Sequence, residues 1–175
     1  MKIKYRKLKL SDAEKIRVWR NKQLKVLRQN KIIKKKDQFK YFKNYILTKN
    51  PKTDLFAIEL NYKLIGSGGL VNITKDFKTA EVSFLVNDKI NHNSLLYETL
   101  FNEFLFFMKK YSKIKKFRRL YTETFSFRKK HIKILEKFGF KLEGIMKMHI
   151  IKNKKTYDSL IHGIINKNSK DLLNK

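Results

Sequence analysis

The chain has 175 residues, a formal net charge of +28, 42% hydrophobic and 13% aromatic residues, and no cysteine. That length suits one domain with one core, and that apolar content excludes a disordered chain, while the missing cysteines exclude a disulfide framework and a thiolate zinc site. No apolar run reaches the ~20 residues of a membrane-spanning helix, and MKIKYRKLKL lacks the apolar centre of a secretion signal, so a cytoplasmic protein without membrane insertion is expected.

In chain order, Ile3, Tyr5 and Leu8 among basic residues predict a strand over 2–8. Ser11, with Glu14 three positions on, has the form of a capping box opening a helix that carries Ile16, Val18 and Trp19. Residues 24–28 read as a second short helical piece. Phe39, Phe42, Tyr45 and Ile46 at helical spacing place a helix over 37–47 with all four on one face, ended by Asn50-Pro51-Lys52. Strands follow. Segments 55–60 and 63–74 flank Asn61-Tyr62, a two-residue hairpin connection, and Gly66, Gly68 and Gly69 mark bulges or a close backbone approach. Residues 79–86 form a strand, 91–94 a polar loop, and 94–111 a helix apolar nearly all round, as expected of one buried against a sheet. A strand over 119–125 leads to a helix over 129–138 closed by Gly139, and 141–152 pairs with 156–165 about Asn153-Lys154. The expected fold class is α/β (α+β): one domain over 1–166 in the order βαααβββαβαββ. It has helices flanking a mixed, mostly antiparallel sheet, a βαβ unit over 79–125, and a flexible tail over 167–175.

The positive charge is spread through every segment. It reads as solvated surface with a few cations facing an anionic substrate, and leaves nucleic-acid or other polyanion binding as the alternative. A strand running through a short loop into a helix N-terminus, as over 79–107, aims unpaired N–H groups at an anion. Here that loop, Asn91-His92-Asn93-Ser94, contains no glycine.

Several phrases, in this order and spacing, resemble the GNAT superfamily of acetyl-CoA-dependent N-acetyltransferases, in particular the type that holds ribosomal-protein N-terminal and surface-glycan amino-sugar acetyltransferases. They are Trp19-Arg20-Asn21, 64–70, Ala80-Glu81-Val82-Ser83-Phe84, the helix–Gly-Phe–strand phrase over 134–144, 149–153 and Tyr157-Asp158. The resemblance spans roughly residues 3–165 and implies a single GNAT-like domain that uses acetyl-CoA and no metal, as monomer or homodimer. The chain departs from it in two places. His92-Asn93-Ser94 stands about where the family's glycine-containing cofactor motif falls. Arg128 and Leu135 occupy the positions of an Asn and of a Tyr able to protonate the departing thiolate.

The resemblance places cofactor contacts at Phe84, Leu85 and Val86, at Asn91, His92, Asn93, Ser94 and Leu95, and at Arg128, Lys129, Lys130 and His131. Asn tolerates left-handed backbone and Ser is small, so the loop can serve as a phosphate cradle; it can equally be a plain capping loop. Acetyl transfer needs the ammonium deprotonated, the oxyanion stabilised and the thiolate released. Glu81 is the first candidate base, directly or through water, His149 the second and Glu123 the third; each can also be an ordinary paired strand residue. Tyr157 is the candidate replacement acid, or a packing residue. The acceptor set is Trp19, Arg20, Asn21, Arg28 and Gln29. Its two arginines suit an acidic acceptor such as a nucleotide-linked amino sugar, while Trp19 can be core and Arg20 and Asn21 helix-end residues. Three functions follow: amino-sugar N-acetyl transfer by direct attack in a ternary complex, protein N-terminal acetylation, and non-catalytic binding of RNA or another polyanion by the same fold.

Overall fold

The computed structural model describes residues 1–48 and 52–166. The Asn50-Pro51 break and the tail over 167–175 lie outside the described residues. The elements are β1 (Ile3–Lys7), α1 (Ala13–Lys22), α2 (Lys35–Tyr41, continued by a wider π turn over Phe42–Ile46), β2 (Asp54–Leu60), β3 (Lys63–Thr74) and β4 (Thr79–Val86). Then come α3 (Leu95–Ile114), β5 (Arg119–Phe125), α4 (Lys129–Phe138), β6 (Lys141–Lys152) and β7 (Lys155–Ile165). The strands form one seven-stranded sheet in the order β1-β2-β3-β4-β5-β7-β6. Both expected hairpins are present, and Asn61, Tyr62, Asn153 and Lys154 all take positive φ, as a two-residue primed turn requires.

Alternation along β4 divides the interior. Ala80, Val82 and Val86 face a large core built on Leu100, Phe101, Phe104, Leu105 and Met108 of α3 with Ile134 and Leu135 of α4. Leu85 faces a smaller core with Ile16, Trp19 and Phe42 under α1 and α2. The sheet is therefore covered on both faces, as an α/β layering demands. Gly68 is a close approach: a Cβ there would sit 2.6 Å from both the Ser83 carbonyl oxygen and the Phe104 ring, so the glycine lets α3 press onto the strands.

The feature that makes room for a site is the single parallel pairing. β4 meets β5 at Thr79↔Arg119, Ala80↔Leu120 and Glu81↔Tyr121. Beyond Glu81 the strands part, β4 continuing along β3 to Val86 and β5 along β7 to Phe125. A sheet that opens in its middle exposes strand edges within the protein, and a ligand can take the missing partner's place.

Four expectations are corrected. Residues 24–28 are turns and bends, held from outside by Lys152 Nζ, which donates to Leu24 O at 3.0 Å and Gln29 O at 3.2 Å. The α1 cap is not Ser11 with Glu14: Asp12 Oδ2 accepts the Lys9 N–H at 2.8 Å while Glu14 binds Arg17, because the chain enters α1 through a 3₁₀ turn over Leu10–Asp12. Tyr45 is half-exposed and stacks on Tyr41, since the π turn rotates it off the buried face. The α3 helix is buried on one side and not all round, with Leu95 and Phe106 turned outward.

Candidate active site

Where β4 and β5 part, a cavity of about 80 Å³ is lined by Glu81 and Ser83 on one side, Glu123 and Thr124 on the other, and Arg28 and His131 at its ends. Glu81 is 3% exposed. Its carboxylate is gripped by the Arg28 guanidinium on one oxygen and accepts from Asn72 Nδ2 at 2.7 Å on the other. Arg28 also donates to Glu123 Oε2 at 2.9 Å, and His149 Nε2 stands 3.8 Å from Glu123 Oε1. One cation thus bridges two carboxylates, as a buried carboxylate needs a partner to remain ionised.

Along the same sheet face lies a second cavity of about 420 Å³, lined by Arg20, Asp37, Tyr41, Ser67 and Ser83. Ser83 lines both cavities, so they adjoin at β4. Arg20 gives Nε to Gln29 Oε1 at 3.0 Å, and among the described residues no carboxylate pairs with it. Burial holds its pKa below the usual guanidinium range. Gln29 Nε2 in turn binds Asn21 Oδ1 at 2.9 Å, and Asn21 closes on Ile33 through both its amide groups.

On the opposite face the cofactor candidates bind one another. Gln23 Nε2 donates to Val86 O at 2.8 Å and Gln23 Oε1 lies 3.1 Å from His92 Nε2. Burial, with Arg128 nearby, pushes the His92 pKa down to about 4. Tyr97 hydroxyl lies 2.7 Å from His131 Nδ1 and accepts from Arg128 Nη2 at 3.0 Å. In the loop, Asn91 Oδ1 accepts the Asn93 N–H at 2.9 Å, Asn91 O the Ser94 N–H at 3.0 Å, and Ser94 Oγ the Tyr97 N–H at 3.1 Å.

The site residues therefore divide. Glu81, Glu123, Arg28 and His131 line the gap, His149 approaches Glu123 without lining it, and Arg20 lines the neighbouring cavity. Phe84 lines the gap but packs its ring against Tyr97, Phe101 and Phe104. Trp19 is corrected to core, 7% exposed, and Asn21 and Gln29 to fastenings of the 23–34 connection. Tyr157 packs edge-on against Phe127 at 4.8 Å and does not line the gap. Leu135 is fully buried in the larger core. Lys130 is paired with Glu98, Lys129 is exposed, and Leu85 and Leu95 contribute backbone at most, Leu85 pointing into the smaller core and Leu95 outward. Sequence reasoning missed Gln23, Asn72 and Tyr97. Tyr97 hides in an apolar helical run, and the other two are single polar residues whose partners lie on distant strands.

A phosphate-bearing thioester fits part of this arrangement. The β4 edge beyond Glu81 has no β5 partner, and the Leu95 and Leu96 N–H groups are unpartnered among the described residues. The Asn93 and Ser94 N–H groups, however, already serve the loop itself. Among the described residues no group of His, Asp and Glu is placed to hold a metal ion, and no helix is long and apolar enough to cross a membrane.

A family profile described as an acetyltransferase (GNAT) domain matches residues 5–161. Comparison with curated protein sequences returns no match. Among solved structures, the chain is similar to a spermidine N-acetyltransferase from Vibrio cholerae in complex with CoA and spermine, at 19% identity over 93% of this chain and 95% of that one, with a TM-score of 0.79. A chimera of that enzyme with hSSAT matches at 21% identity over 99% of both chains, TM-score 0.79. An N-acetyltransferase from Staphylococcus aureus Mu50 matches at 17% identity over 94% and 99%, TM-score 0.77.

Proposed function

The chain belongs to the GNAT acetyltransferase family, and from that premise we propose that it transfers the acetyl group of acetyl-CoA to the primary amine of a small acceptor that also carries negative charge, by direct attack in a ternary complex. A nucleotide-linked amino sugar is the specific acceptor this reading favours. The observation that supports it is Arg20, half-buried in the wall of the 420 Å³ cavity without a carboxylate partner among the described residues, with Asp37 also in the lining. A desolvated guanidinium is stabilised by an anion, and its planar fork matches phosphate or carboxylate. A polycation would meet Arg20 and Arg28 and find Glu81 and Glu123 already neutralised, which disfavours a polyamine.

In this reading Arg20 anchors the anionic part of the acceptor and Asp37 lines the same cavity. The amine reaches the gap past Ser83, and Glu81, relayed through Glu123 and His149, receives its proton. Arg28 holds both carboxylates until the ammonium arrives, then shifts toward solvent, where its side chain is already 46% exposed. Acetyl-CoA supplies the acetyl thioester when bound, and the unpaired β4 edge beyond Glu81 is the surface that would align it.

Isothermal titration with acetyl-CoA tests the reading. Saturable binding is expected, and no heat at millimolar concentration sinks it. The second reading, a non-catalytic polyanion binder, draws on the self-satisfied loop and the +28 charge. It gains if generic RNA binds with a steep salt dependence while acetyl-CoA does not.

A further inference from the structure

Tyr97, Arg128 and His131 form a buried hydrogen-bonded chain that packing does not require. Tyr97 is 1% and His131 8% exposed. Arg128 has no lone pair to offer, so its Nη2 donates to the Tyr97 hydroxyl at 3.0 Å. The Tyr97 proton is then aimed at His131 Nδ1, 2.7 Å away. Nδ1 is thereby an acceptor, and the imidazole is the tautomer with its proton on Nε2. The ring lies against Phe101, stacked at 4.1 Å. Burial, then the charges of Arg128, His92 and His162, holds its pKa well below the ordinary histidine value, so the ring is neutral and Nε2–H is its one donor. His131 and Arg128 both line the cavity where β4 and β5 part, with Glu81, Glu123 and Arg28 on its other walls.

We propose that His131 is the hydrogen-bond donor that stabilises the departing thiolate in the transfer step, with Tyr97 and Arg128 as the positioning relay behind it. This rests on the acetyl-transfer reading above. As the acyl carbon–sulfur bond breaks, its electron pair stays on sulfur, and the thiolate accepts a hydrogen bond from Nε2–H, which keeps its proton; solvent protonates the sulfur after release. Burial holds the Tyr97 hydroxyl above its ordinary pKa, so it stays protonated and keeps Nδ1 an acceptor. A fixed donor placed next to a cation also lowers the pKa of a thiol bound there.

CoA itself, the thiol product, is the probe, compared with acetyl-CoA, which has no thiol to ionise. A free thiol of this kind titrates near ~8.5, and lowering it by one unit on binding is worth up to tenfold in affinity. For the wild type, affinity for CoA relative to acetyl-CoA rises about five- to tenfold between pH 7 and pH 9. In Tyr97→Phe the ring packing stays but the hydroxyl that fixes His131 is gone, and the rise of the ratio with pH becomes smaller. His131→Leu, which leaves no donor, flattens the ratio and covers the case in which the first variant folds poorly. Imidazole nitrogen NMR reports the tautomer independently: the Nε2–H form is expected in the wild type. A flat ratio in the wild type, an unchanged slope in the variants, or a wild-type Nδ1–H tautomer overturns the relay while leaving acetyl-CoA binding intact. Failure of both CoA and acetyl-CoA to bind overturns the acetyl-transfer reading, and the relay with it.

Discussion

The two faces of the sheet are built on opposite terms. Under α1 and α2 the polar groups are arranged around space: Glu81, Glu123, Arg28, Arg20 and Asp37 border two cavities that meet at Ser83. Around the N-termini of α3 and α4, with Gln23 reaching in from the end of α1, the polar groups are arranged around each other. Gln23 caps Val86, Tyr97 joins Arg128 to His131, and Asn91 with Ser94 closes the loop. The larger core and the aromatic chain through Phe84, Phe101 and Phe104 also lie on that side. The face under α1 and α2 thus holds pre-formed space, and on the other the polar groups already satisfy one another. Ligand binding there must displace internal bonds, and the net gain is smaller by what those bonds contribute.

The largest effect expected from breaking this contrast is on stability. Phe104→Ala empties the contact among Tyr5, Phe84 and Gly68 in the larger core and costs about 3–5 kcal/mol, read from the denaturant midpoint. Tyr45→Ala, on the other face and half-exposed, stays within about 0.5 kcal/mol. Equal losses would show that the two faces are not energetically distinct. Next comes the base. Glu81→Gln keeps the shape but cannot take a proton, and turnover with an amine acceptor is expected to fall tenfold or more. Unchanged turnover moves the role to Glu123, His149 or water.

The fold was legible because its signals are redundant. β4, β5 and α4 were delimited by β-branched runs and by Gly139, whose φ of 108° ends α4 in a left-handed residue. The site was legible only where one residue acts within one element. Glu81 and Arg28 could each be singled out, but not that Arg28 clamps Glu81, because the 23–34 connection that delivers Arg28 is shaped by Lys152, over a hundred residues later. Trp19 misled for a related reason: an amphipathic helix does not say which side of it faces a cavity. The Leu24–Arg28 segment has helical composition, yet tertiary ties to β6 override it.

A smaller effect tests His92 and His131, both beside Arg128. The His92 pKa falls in the folded protein from 6.5 to about 4. Between those values the unfolded chain binds more protons, so stability is full above about pH 6.5 and declines as pH falls toward about 4. His131, lowered in the same direction, adds to the decline. Asp12, whose carboxyl Arg6 and the Lys9 N–H hold below its usual value against burial, loses its contribution only further down. Melting temperature should therefore drop across pH 6.5 to 4, and His92→Gln should make that drop shallower. An identical slope in the variant would place the sensitivity elsewhere.

The smallest expected effect decides what the glycine-free loop is for. Asn91 Oδ1 takes the Asn93 N–H and Asn91 O the Ser94 N–H, while Ser94 caps α3. Asn91→Gly removes the side-chain acceptor alone, at a cost of a few tenths to about 1 kcal/mol in thermal unfolding. It also frees the Asn93 N–H and gives the loop the left-handed conformations that a closer phosphate contact requires. If the loop cradles a phosphate against its own internal bonds, CoA affinity rises two- to fivefold in the variant, about 0.4–1 kcal/mol at RT near 0.6. If the loop is a cap and nothing more, stability falls and CoA affinity does not change, and the phosphate must then be met by the Leu95 and Leu96 N–H groups with Arg128 and Lys129.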